Sequence, residues 1–81
     1  MALQQLDDFL ASTEKRAYSM ARIAVQNDAD ALDIVQDAMM KLVEKYRDKS
    51  PEEWKPLFYR ILQNRIMDFH RGAKHRWLFV S

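Results

Sequence analysis

The sequence predicts an all-α fold, a compact bundle of three main helices, on three observations. Apolar residues recur at steps of three and four along three segments. The chain is rich in Ala, Leu, Met, Gln, Glu, Lys and Arg, which lose little freedom in a helix, and it has one Gly and two Pro. Two short runs of turn-forming residues separate the segments. At 81 residues a single domain, about 1–73, is expected, and a domain this small has little stability to spare. The chain has no Cys, so neither a disulfide nor a thiolate metal site supplements the core.

The first helix is expected over about 3–26. Leu6, Phe9, Leu10, Ala17, Met20, Ala21, Ala24 and Val25 fall on one stripe of it. Asn27 and Asp28 form the first joint, since Asn and Asp are poor in helix interiors and good at caps. The second helix is expected over about 30–46, with Leu32, Val35, Met39, Leu42, Val43 and Tyr46 facing the core. Residues 47–54 are expected as a loop or short turn. Ser50, Pro51 and Glu53 carry the marks of a helix start, an N-cap, a proline at the first position and a capping box. Pro56 conflicts with a helix beginning that early, because an interior proline loses a hydrogen bond and crowds the preceding turn. Either 51–55 is a separate turn, or Pro56 sits in the first turn of the long helix. The second arrangement is favoured, giving a third helix over about 55–72, ended by Gly72.

The near-neutral net charge of +1 hides a segregation. Between residues 27 and 44 stand five acids (Asp28, Asp30, Asp33, Asp37, Glu44) and one base, Lys41. Between 55 and 76 stand six bases (Lys55, Arg60, Arg65, Arg71, Lys74, Arg76) and one acid, Asp68. Such asymmetry suggests two partners, one of them anionic, although two ordinary solvated faces would also produce it.

On the third helix Phe58, Leu62, Ile66 and Phe69 make an apolar stripe flanked by Leu57 and Ile61, while Arg60, Asn64, Asp68 and Arg71 share another face beside Arg65. Arg and Asn combine phosphate contact with base-edge hydrogen bonding. Trp54, Lys55 and Tyr59 gather at the helix start, and aromatics beside cations suit an unpaired strand. Trp54 and Tyr59 could equally close the small core. On the second helix Asp33, Gln36, Asp37, Met40 and Lys41 form a mostly acidic face that suits a basic partner helix. His70 and His75 stand five apart, the wrong spacing for one helical face. No metal site, cofactor, catalytic arrangement or Gly-rich phosphate loop is expected, and no enzyme. No apolar run reaches the ~20 residues of a membrane span, and the N-terminus lacks the features of a signal peptide.

Two segments resemble a known family. Ala31-Leu32-Asp33-Ile34-Val35-Gln36-Asp37-Ala38 resembles the A-E-D-(V/L)-V-Q-E signature in region 2.2 of sigma-70 family factors. Leu57-Phe58-Tyr59-Arg60-Ile61-Leu62-Gln63-Asn64 resembles the W-L-Y-R-I-A-x-N signature of extracytoplasmic-function (ECF) sigma factors, and Met67-Asp68-Phe69-His70-Arg71 the I-D-x-x-R that follows it. The resemblance covers about residues 9 to 76. Leu57 stands where the family usually has Trp, Pro56 precedes it, and the joint is about one residue short.

The resemblance implies a helical sigma region 2 in the bacterial cytoplasm that recognises and melts the promoter −10 element. By position it implicates Asp33, Gln36 and Asp37, with Met40 and Lys41 beside them, in docking on the β′ clamp helices of core RNA polymerase. It places 47–53, with Arg47 and Lys49, in a loop that captures a flipped base of the non-template strand, with Trp54 and Lys55 at its edge. Tyr59, Arg60, Asn64, Arg65, Asp68 and Arg71 would then face DNA. An anti-sigma protein is a further partner the family admits. The family continues into a helix-turn-helix domain, so 74–81 is expected to begin a linker and the chain to be a piece of a longer factor. The alternative is a helical module that binds polymerase or a regulator without reading DNA, a role that would not need the polar stripe of Arg60, Asn64 and Arg65.

Overall fold

The computed structural model describes residues 2–80, with side chains described for 4–72. Three helices follow one another, α1 (Ala2–Val25), α2 (Asp28–Tyr46) and α3 (Pro51–Val80), and each packs on the other two. The all-α expectation holds.

In α1 the periodicity places the core as expected. Leu6, Leu10, Ala17 and Ala21 are buried, and Thr13 fills the gap in the row between Leu10 and Ala17. Ala17, Ala21, Ala31 and Ala38 are all fully buried. Side chains this small add little apolar area, so they let helix axes approach and leave burial to the large residues. Those are Trp54, Phe58, Ile34, Leu42 and Leu62.

α2 meets its expected core face except at Leu32: Val35 and Leu42 are buried, and Met39, Val43 and Tyr46 pack against the core. Ala31, Ile34, Val35, Ala38 and Leu42 are its buried residues, whereas Leu32 is 49% exposed. Leu32 and Val35 are three apart and share a face, but the buried stripe continues through Ala31, Ile34 and Ala38, and Leu32 lies at its edge. An apolar count weighted toward large side chains overlooks a stripe carried by alanine.

The first joint is tight. α1 ends at Val25 and Gln26 takes φ 57°, the left-handed region. The Gln26 N–H donates to the Arg22 carbonyl at 2.9 Å. Asn27, extended at φ −150°, caps α2, its Oδ1 accepting from the Asp30 N–H at 2.9 Å. Capping therefore starts α2 two residues earlier than expected, and puts Asp28 and Asp30 in the first turn, where the helix dipole favours acids. Asp28 accepts from the Tyr18 hydroxyl at 2.9 Å and from Arg22 Nε. The Tyr18 hydrogen bond first, and the arginine second, hold the Asp28 carboxyl below its usual range, and the Tyr18 hydroxyl is raised in return. A left-handed L-residue costs roughly 1–2 kcal/mol and glycine's extra chain entropy about 0.5–1. Gln26→Gly is therefore expected to stabilise the domain by about 0.5–1 kcal/mol. A thermal melt checks this; an unchanged or lowered Tm would show that Gln26 carries no strain.

The third helix departs furthest from its expectation. It begins at Pro51, not near Lys55, and keeps Pro56 in its interior. Only 47–50 separate the two helices, so the loop expected over 47–54 is half as long. Half of the expected capping box forms: Ser50 N–H donates to Glu53 Oε2 at 3.2 Å, while Glu53 N–H donates to the Ser50 carbonyl at 2.9 Å. Pro56 has no N–H to offer the Glu52 carbonyl, and that loss is tolerated because the early start delivers Trp54 to the core, 2% exposed. Tertiary burial outweighs the local penalty. At the other end the helix continues past Gly72 to Val80. Gly72 has no positive φ and so does not form the left-handed stop expected of it. The side chains of the expected linker, 74–81, lie outside the described residues.

Candidate nucleic-acid interface

α2 and α3 leave a groove between them with a cavity of about 370 Å³, lined by Lys41, Lys45, Tyr46, Leu57, Arg60, Ile61, Asn64, Arg65 and Asp68. Leu57, Ile61 and the Tyr46 ring line it among polar side chains that supply most of its surface. Its walls carry four cationic side chains, two from each helix, against one carboxylate. The helical repeat explains the arrangement. Lys41 and Lys45 are four apart on α2, and Arg60, Asn64 and Asp68 are four apart on α3, so each set points along one face.

Several predicted residues meet here. Arg60 and Asn64 are exposed on the groove wall. Asp68 lies at its end and accepts from Arg71 at 2.8 Å, both exposed. Tyr59 is half-buried, its ring edge-on to Phe58 at 5.5 Å, and stands on the flank of α3. Lys55 is exposed on the first turns of α3. In the second joint, Arg47 and Lys49 are exposed, and Arg47 Nε donates back to the Val43 carbonyl at 3.2 Å.

Trp54 is the clearest correction. Its indole packs at 6.1 Å from the Phe9 ring and its Nε1–H donates to the Tyr46 carbonyl at 3.1 Å. With its faces covered and its donor satisfied, it closes the core and offers no platform for a base.

The acidic face of α2 is also as predicted in part. Asp33, Gln36 and Met40 are exposed, with Met40 at 58%. Lys41 instead turns toward the groove and joins the cations. Asp37 is not free. Arg65 Nε donates to Asp37 Oδ2 at 2.7 Å, and the same guanidinium lies 3.5 Å from Asp33 Oδ2. The two faces read as separate in the sequence are thus joined by a shared arginine. Lys45 was missed; its place four residues after Lys41 was the available signal. Among the described residues, no group of His, Cys, Asp and Glu could hold a metal ion, and no helix is long and apolar enough to cross a membrane.

The Sigma-70 region 2 family model matches residues 9–76, most of the chain and all of the groove. The chain belongs to the sigma-70 region 2 family. A curated relative, RNA polymerase sigma factor SigV of Bacillus subtilis (strain 168), is 40% identical over 58 residues, covering 70% of this chain and 35% of the relative. The region 2 chain therefore spans about a third of the length of that relative. No solved structure matches the chain at a significant level. The family resemblance drawn from the two signatures is borne out.

Proposed function

We propose that this region 2 domain, of the ECF type, binds core RNA polymerase and recognises and helps to melt the promoter −10 element. The observation that carries the reading is the α2–α3 groove, which sets cations from both helices beside Leu57, Ile61 and the Tyr46 ring. That combination suits an unpaired strand, whose bases are apolar on their faces and whose backbone is anionic. Lys41, Lys45 and Arg60 are placed to neutralise phosphates, and Asn64 and Arg60 to hydrogen-bond base edges. With Trp54 in the core, base capture falls to the groove and the short 47–50 joint. Melting follows from differential binding: the groove holds an extruded base, and the duplex cannot offer one, so the difference offsets an unstacking cost of a few kcal/mol. The exposed face of Asp33, Gln36, Asp37 and Met40 is the surface for the β′ clamp helices of the polymerase.

Fluorescence anisotropy with a non-template −10 single strand, over a salt series, tests the DNA half. Arg60→Ala is expected to weaken binding by about 1–3 kcal/mol and to reduce the salt slope by roughly 0.7. A wild-type domain with no salt-sensitive binding at low ionic strength, yet with intact polymerase binding, would instead mark a protein-only module.

A further inference from the structure

The position of Arg65 ties the two binding faces together. Its side chain is only 24% exposed and lines the groove, yet its guanidinium is held by the acids of the neighbouring face, 2.7 Å from Asp37 and 3.5 Å from Asp33. Those two carboxylates are four apart on α2 and keep much of their surface in water, 40% for Asp37 and 69% for Asp33. They can therefore be approached from outside while they hold the arginine. A third acid, Asp68, lines the same groove but is engaged by Arg71.

We infer that Arg65 is a latch: Asp37 and Asp33 hold it back from nucleic acid, and a basic partner surface that takes these carboxylates releases it into the groove. This rests on the groove being the DNA site. The coupling is positive and reciprocal, because an anionic strand that draws Arg65 away also frees Asp33 and Asp37 for the cationic partner. Its size is limited. A half-exposed ion pair in water contributes about 1 kcal/mol or less, which is what a releasable contact needs. A pair buried deeply enough to be strong would not open for either partner.

The test is a double-mutant cycle on the intact chain, with a labelled −10 single strand as probe and circular dichroism confirming that each variant is folded. Asp37→Asn removes the main restraint and is expected to raise the affinity about fivefold. Asp33→Asn, which removes the longer contact, gives a smaller rise. In an Arg65→Gln background the Asp37→Asn gain should vanish, since no arginine remains to be released. An equal gain in both backgrounds would mean that removing a negative charge near DNA is the whole effect, and would overturn the latch. So would no gain at all in a domain whose binding still falls on Arg60→Ala. If neither wild type nor Asp37→Asn binds the strand, the DNA reading fails and the latch with it.

Discussion

Trp54→Ala is expected to remove about 3–5 kcal/mol of stability and leave a large part of the population unfolded at ambient temperature. For a chain of 81 residues the whole stability is on the order of 4–12 kcal/mol. Trp54 touches every helix of the bundle. It belongs to α3, packs beside Phe9 of α1, and donates to the carbonyl of Tyr46, the last residue of α2. Phe58, fully buried, also meets Phe9 edge-on at 6.1 Å. Removing the indole therefore opens a cavity bordered by all three helices. The Tyr46 carbonyl is not orphaned, because it also accepts from the Lys49 N–H at 3.0 Å, so the cost is that of the cavity. Trp54→Phe keeps most of the volume and should lose less than half as much. Urea denaturation followed by circular dichroism measures both. A loss below about 1 kcal/mol for the alanine variant would show that Trp54 is not a core residue.

Asp37→Arg is expected to abolish binding of a basic polymerase helix to the α2 face, a loss of several kcal/mol. The substitution reverses the charge at the centre of Asp33, Gln36 and Met40, and it sets a second guanidinium against Arg65. The domain itself should stay folded, since the broken contact is half-exposed and contributes about 1 kcal/mol or less. Binding to the isolated clamp-helix segment of β′, compared for wild type and variant, gives the answer. An unchanged affinity would remove this face from the polymerase interface.

Much of the fold was legible in the sequence because α1 and α3 bury large apolar residues at regular steps. Leu6 and Leu10 on one helix and Phe58 and Leu62 on the other stand out in any periodic reading. What escaped has physical causes. The α2 stripe runs through Ala31 and Ala38, whose weak apolar signal let Leu32 mislead. The start of α3 was set by a choice between a local penalty at Pro56 and burial of Trp54, and burial depends on Phe9 and Tyr46, which lie far away in the chain. The candidate site was legible as two faces, from Arg60 and Asn64 on α3 and from Asp33, Gln36 and Met40 on α2. Their junction was not, because the Arg65–Asp37 contact spans 28 positions and depends on how the helices are rotated. Lys41 changed sides for the same reason.

The two joints have a consequence for how quickly the domain forms. Gln26 and Asn27 alone separate α1 from α2, and four residues separate α2 from α3. Each neighbouring pair of helices can therefore meet without closing a long loop, so little chain entropy opposes the first encounters. Bundles built this way fold in microseconds to milliseconds. The closure across the longest stretch of chain is α1 against α3, and Trp54 beside Phe9 sits on that seam. In a Trp77→Phe variant, which leaves Trp54 as the one tryptophan, its indole emission would report that closure in a rapid-mixing or temperature-jump experiment.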